Sequence, residues 1–277
     1  MSNNKLNPLK SVREYCEFYF DNYNKNNNYR EAWLELKERR FKQIRDNNFY
    51  LDADAETFKN KVMKFWEGRS GAGGWNYRNS EIRKKGEKGK SGNWVYFQDA
   101  NGETPNSEEI IENLKNNLEL HGNYSWSMLF RGGDITVDMP KLKRTLKYLL
   151  DDNINGEEIF NRFNEVIYGN NGYTIKGLGH SKASMFLHIK HPEECGVWNS
   201  CVWDENKKEN TTFKILSKVD SKFQITGIDN REKYKKINER LRWLLENYNY
   251  KKYKNDNYGF ENLSDVDIFV WYISNNF

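Results

Sequence analysis

The stretch that most limits how this chain folds is "EEIFNRFNEVIYGNNGYTIKGLGHSKASMFLHIKHP", residues 157–192. Apolar side chains recur at helical spacing over 157–168, "GNNG" breaks the pattern, and a second helical segment runs over 180–190 until Pro192 stops it. Between the two helices sits Gly177-Leu178-Gly179. An apolar residue flanked by two glycines makes a tight turn, in which Leu178 tucks between the helices and each glycine allows a conformation that a Cβ would obstruct. The first N–H groups of the second helix then point outward together, and the helix dipole favours an anion there. A DNA phosphate is the natural ligand of that geometry, with Lys176 and Lys182 flanking it and His180 placed to touch a phosphate or a base. The plainer alternative is an ordinary turn between two helices.

The rest of the chain reads as predominantly α. Helical spacing covers 8–22, 29–47, 139–151, 209–218, 231–247 and 264–275. Asp52 or Asp54 is placed to cap a helix bearing Phe58, Val62, Phe65 and Trp66. Asn106 and Glu109 have the spacing of a capping box ahead of "IIENLKNNLEL". Aromatic residues make up 15% of the 277 positions, enough to supply a core in a chain of modest hydrophobic content. Trp271 and Tyr272 are expected in that core. The Asn-rich "NYNKNNNYR" reads as a loop between helices, and "NWVYFQD" (93–99) is the one good strand signal, half of a small β-hairpin.

One segment breaks the helical pattern. "EGRSGAGGWNYRNSEIRKKGEKGKSGNW" (67–94) is rich in Gly and carries Arg69, Arg78, Arg83, Lys84, Lys85, Lys88 and Lys90, with Trp75, Tyr77 and Trp94 interleaved. Cations neutralise phosphates while aromatic rings stack on bases, so the segment is expected to act as an arm on a nucleic acid, with Arg83, Lys84 and Lys85 at its centre. The alternative is a solvated insertion loop. The formal net charge of +4 is compatible with nucleic acid without requiring it. No signal peptide precedes residue 30 and no apolar run approaches a membrane span, so a cytoplasmic protein, expected as a monomer, follows. Three cysteines, Cys16, Cys195 and Cys201, are too few and too scattered for a disulfide framework. His188, His191, Cys195 and Cys201 have the spacing of no zinc module, and His188 sits among apolar neighbours.

The segment "IKGLGHSKASMFLHIKHPEECGVWN" resembles the hairpin of the helix-hairpin-helix DNA glycosylase superfamily, the endonuclease-III-like enzymes. "REKYKKINERLRWLLENY" and "FENLSDVDIFVWYI" are similar to the tail of a divergent branch found in prokaryotic defence contexts, so the resemblance covers about 155–277. It implies a mainly α, two-lobed helical fold with a small β-hairpin or loop insertion, divided into an N-terminal helical region (1–150) and a glycosylase-like region (151–277) that together form one unit. It also implies double-stranded DNA as partner, phage DNA with modified bases in particular, and hydrolysis of the N-glycosidic bond of a flipped base. A glucosylated hydroxymethylcytosine is the target that the defence branch suggests. The hairpin contacts fall on Lys176, Gly177, Gly179, His180, Ser181 and Lys182. No cofactor is implied beyond a monovalent cation at the hairpin, because the family's iron–sulfur cluster needs cysteines that do not occur after Cys201.

Two positions depart from the family's pattern. Its Schiff-base lysine falls on Ser181, and Lys182 is about 100° of helix out of register. A monofunctional glycosylase without lyase activity is therefore expected. The family's catalytic aspartate falls on Asn199, which keeps a dipole but lacks the charge that steadies an oxocarbenium ion. Asn199 orients water while Asp204 or Asp134 supplies the charge, or the site binds without catalysis, or an inactivating replacement stands at 199. Trp126, Trp198 and Trp75 are the candidate walls of the base pocket, Trp126 lying in "YSWSMLFRGGDI" ahead of an Arg-Gly-Gly-Asp turn. A reader of modified or structured DNA, without chemistry, is the competing function.

Overall fold

A computed structural model describes residues 6–24, 51, 53–58, 135–206, 211–249 and 259–277. Among these residues the chain is mainly helical. They belong to two compact units: one comprises 1–24, 149–174 and 179–277, and the other 25–148 and 175–178. The β-hairpin expected around 93–99, the helix expected at 29–47 and the capping box at Asn106 lie outside the described residues.

In the larger unit α1 is Val12–Asn24. Met139–Leu149, which falls almost wholly in the other unit, is α2; Glu157–Tyr168 is α3, His180–Lys190 α4, Thr212–Leu216 α5, Asn230–Asn247 α6 and Leu263–Asn276 α7, with a 3-10 turn at Ser221–Phe223. Helices α3 and α4 occupy the spans that periodicity predicts. The helix expected over 209–218 is shorter, because Thr211 caps it by accepting from the Lys214 N–H and Ser217 ends it. Asp229 and Asn262 cap α6 and α7 in the same way.

Helix α7 is apolar around most of its circumference and accordingly sits inside the unit. Helices α1, α5 and α6 all pack on it. From α1, Tyr19 packs edge-on to Phe269 and Tyr272, and its hydroxyl donates to Asp265 Oδ1 at 2.9 Å. From α5, the Thr212 hydroxyl donates to the Val270 carbonyl at 2.5 Å. A fully buried aromatic such as Phe269 contributes about 2 kcal/mol by leaving water, so this ring cluster is a principal stabiliser. Tyr272 is in the core as expected, while Trp271 is half-buried. Helix α3 packs against both α4 and α6.

Of the second unit, the described parts are short. Asp54 accepts from the Thr57 N–H at 2.7 Å, which makes it the cap of the helical turn that buries Phe58. Asp138 does the same for α2 through the Lys141 N–H at 2.9 Å. Leu142 and Leu146 of α2 face inward at helical spacing. Among the described residues no helix is long and apolar enough to cross a membrane.

Candidate functional site

Residues 175–178, which cluster with the second unit, form the turn that the glycines foretell. The Leu178 N–H donates to the Ile175 carbonyl at 3.1 Å, and Leu178 is buried while Lys176 is exposed. Gly177 has φ 90°, a left-handed conformation that favours glycine. Gly179 differs from expectation. Its φ of −84° and ψ of 178° are extended backbone open to any residue, and a Cβ there meets nothing within 4 Å. What sets Gly179 apart is that it offers no side chain to cap α4. The N–H groups of Gly179, His180 and Ser181 have no acceptor among the described residues, which leaves an open, positive helix start in the larger unit.

Three side chains four residues apart on α4 then face one extended segment, 195–198. His180 stacks on Trp198 with ring centroids 4.3 Å apart. Ser184 Oγ accepts from the Trp198 N–H at 2.9 Å. His188 Nδ1 meets the Cys195 carbonyl at 2.5 Å, and its Nε2 lies 3.0 Å from Ser264 Oγ. A carbonyl only accepts, so Nδ1 carries a proton. From the other side α6 grips the same segment: the Gly196 N–H donates to Asn238 Oδ1 at 2.5 Å and the Tyr234 hydroxyl donates to the Gly196 carbonyl at 3.0 Å. A Cβ on Gly196 would collide with Leu241 Cδ1.

Trp198 is 5% exposed. Phe163 and Tyr234 stand 6.4 Å from it on the inner side, and its indole N–H donates to the Trp203 carbonyl at 3.3 Å. The aromatic surface that remains open to solvent is therefore that of His180, which keeps exposed area while covering the indole. Withdrawal from water lowers the His180 pKa below the ordinary value, and the nearby Asp204 carboxylate opposes that shift.

Asn199 is occupied locally. Its Oδ1 accepts from the Cys201 N–H at 2.8 Å and the Val202 N–H at 3.2 Å, pinning a turn whose carbonyl end also holds the Trp203 N–H at 3.1 Å. The side-chain oxygen thus organises the loop that carries Asp204. Asp204 is half-buried, with Oδ1 accepting from the Asn206 N–H at 2.9 Å.

Lys182, expected beside the phosphate, is 6% exposed because its register turns it inward from the helix start. Ser181 is half-buried at that start. Asp134, Trp126, Trp75, Arg83, Lys84 and Lys85 lie outside the described residues. Burial pushes the Cys195 thiol up to about 12 and raises Cys16 as well, so neither is a thiolate at neutral pH. Among the described residues no group of three or more His, Cys, Asp or Glu gathers to hold a metal ion.

Sequence reasoning passed over Ser184, Tyr234 and Asn238, which fix the Trp198 segment. The spacing His180-x3-Ser184-x3-His188 is a visible stripe on α4, yet only the folded chain supplies what it faces. No protein-family model, curated protein or solved structure matches this chain.

Proposed function

We propose that this protein is a DNA glycosylase of the helix-hairpin-helix kind. It would bind double-stranded DNA, flip out a modified base and hydrolyse its N-glycosidic bond. The observation that carries the reading is the open start of α4: three outward N–H groups, unpaired among the described residues, begin the helix whose first side chain, His180, stacks on Trp198. A phosphate accepts from the N–H groups of Gly179, His180 and Ser181, and the exposed imidazole offers a platform to a flipped base. The resemblance of 155–277 to that superfamily supports the same reading and extends it to a two-lobed fold.

Asp204 is the carboxylate of this proposal. As the C1′–N bond breaks, its charge stabilises the oxocarbenium-like sugar, water adds at C1′, and the departing base takes up a proton. Asn199 serves by shaping the turn that presents Asp204. The segment 67–94 is the proposed arm along the phosphate backbone, and a bulky modified cytosine of phage DNA is the proposed target. The protein acts as a cytoplasmic monomer without a metal.

The test compares phage DNA carrying hypermodified cytosines with unmodified DNA. Each is incubated with the protein and heated in alkali, which breaks strands at abasic sites. Breaks confined to the modified DNA support the glycosylase. One observation favours the competing reader: Asn199 Oδ1, at the position of the superfamily's catalytic carboxylate, is engaged by two backbone N–H groups. Tight binding of modified DNA without breaks would select that reading.

A further inference from the structure

Helix α2 carries four cations, Lys141, Lys143, Arg144 and Lys147, and no acidic residue in its 11 positions. Leu142, Thr145, Leu146 and Leu149 are fully buried. At about 100° per residue those four share one side of the helix, and Lys143, Arg144 and Lys147 fall together on the opposite side with Pro140. Pro140, Arg144 and Lys147 are exposed there and Lys143 is half-buried, while Lys141 stands at the flank.

Other described helices balance cations with acids of their own. Arg13 pairs with Glu17 on α1, Arg162 with Glu158 on α3 and Lys236 with Glu239 on α6. The acids that follow α2 in the chain are engaged too: Asp151 pairs with Arg162 and Asp152 with Lys190. Lys143 and Lys147 form no ion pair among the described residues. Lys143 helps to hold the Asp54 carboxyl below its ordinary value, though less than the bonds from Thr57 do. Like charges three and four positions apart repel, so this row disfavours the helix that bears it. The helix dipole accounts for Lys147 in the last turn, but not for Lys143 and Arg144 in the middle.

We propose that this face of α2 is a contact surface for the phosphate backbone of duplex DNA. It rests on the reading that the protein binds DNA, and adds a surface in the unit that does not contain α4. Lys143 and Lys147 stand about 6 Å apart along the helix axis, a repeated charge opposite in sign to that of a phosphodiester strand. Pro140 apart, the face has no apolar anchor of the kind on which a protein partner would centre. The apolar side is buried in the protein, so α2 has none to sink into an anionic membrane. Phosphate contacts carry no sequence information, so the surface adds affinity alike for modified and unmodified DNA.

The test compares Lys143→Gln/Lys147→Gln with Lys10→Gln/Arg13→Gln, which removes equal charge from exposed positions at the start of α1. Affinity for modified and unmodified duplexes is read by fluorescence anisotropy over a range of salt concentrations. In the α2 variant the slope of log affinity against log salt should shrink by about 1.8, roughly 0.9 per phosphate contact, on both duplexes. The α1 variant and Lys143→Arg/Lys147→Arg should keep the wild-type slope. An unchanged slope in the α2 variant, or an equal loss in the α1 variant, overturns the proposal. Lost binding to vesicles of anionic phospholipid with DNA binding intact would assign the face to a membrane and overturn it as well. If the α2 variant fails to fold, Lys147→Gln alone takes its place, with an expected loss of about 0.9 and the same overturning results. Base release by the wild type is scored separately. Flattened slopes with no base release from any DNA retain the surface and reject the glycosylase reading, whereas base release with unchanged slopes does the reverse.

Discussion

His180 lies nearly parallel to Trp198, their planes 26° apart. The stack sits at the first residue of α4, so the ring that covers the tryptophan also borders the unpaired N–H groups of the helix start. Whatever binds at one meets the other.

The stack has a consequence for stability. The folded chain lowers the His180 pKa from 6.5, chiefly by withdrawal from water, and lowers that of His191 for the same first reason. Between each depressed pKa and about 6.5 the unfolded chain binds a proton that the folded chain refuses, so stability rises with pH. The contribution is present above about pH 6.5 and is lost as pH falls through the folded pKa. His180→Phe keeps a ring over Trp198 but cannot titrate. Thermal melts at about pH 7.5 and about pH 5.5 should show a smaller acid loss in the variant than in the wild type. Equal losses would remove His180 from the account.

Gly179 allows stability and binding to be separated. Because a Cβ there meets no neighbour, Gly179→Asp should fold, cap α4 and raise stability by roughly 0.3 kcal/mol. The same carboxylate occupies the N–H groups and repels a phosphate, so DNA affinity should fall at least about tenfold, or about 1.4 kcal/mol. Gly179→Ala leaves the N–H groups open and should bind within about twofold of wild type. Denaturant melts and fluorescence anisotropy read the two effects. Wild-type affinity in Gly179→Asp would place DNA elsewhere.

Asn199 and Asp204 should separate in the same spirit. Asn199→Ala removes two hydrogen bonds from the turn and should cost about 1 kcal/mol of stability, whereas Asn199→Asp keeps the acceptor and should not. Asp204→Asn should reduce base release by about a hundredfold or more while DNA binding stays within about tenfold. Single-turnover base release beside a binding titration gives both values. Unimpaired base release by Asp204→Asn would transfer the proposed chemistry to another acid.

Gly196 tests the grip of α6. The colliding Leu241 methyl should make Gly196→Ala cost about 1–3 kcal/mol. With Leu241→Ala in the same chain the combined loss should be smaller than the sum of the two single losses. Strict additivity in denaturant melts would show that this contact does not carry the effect.

The helices around the candidate site were legible because α3 has strong apolar periodicity and both helices have clear breaks, "GNNG" before the turn and Pro192 after α4. The turn at Gly177 was legible because a left-handed backbone selects glycine. Less could be read about orientation. Lys182 and His180 are two positions apart, yet one points inward and the other outward, and that depends on which face of α4 the protein covers. Asn199 drew attention through its place after the hairpin, but its commitment to the Cys201 and Val202 N–H groups is a local turn that competes with any catalytic use. The bonds of Lys214 to the loop had no local signature, since the Asp204 and Glu205 backbone carbonyls stand ten and nine positions earlier.

The bond from Tyr19 to Asp265 spans 246 positions and joins α1 to α7. On the ribosome α1 is therefore made long before the helix that covers it. At ordinary elongation rates the delay is on the order of ten to fifty seconds. Throughout that interval Tyr15, Cys16, Tyr19 and Phe20 lack their mature shelter against α7. The nascent chain thus presents a greasy early helix to the cell for most of its synthesis, a period in which a chaperone that grips aromatic segments would find its substrate, and in which slowed translation would favour clumping of unfinished chains.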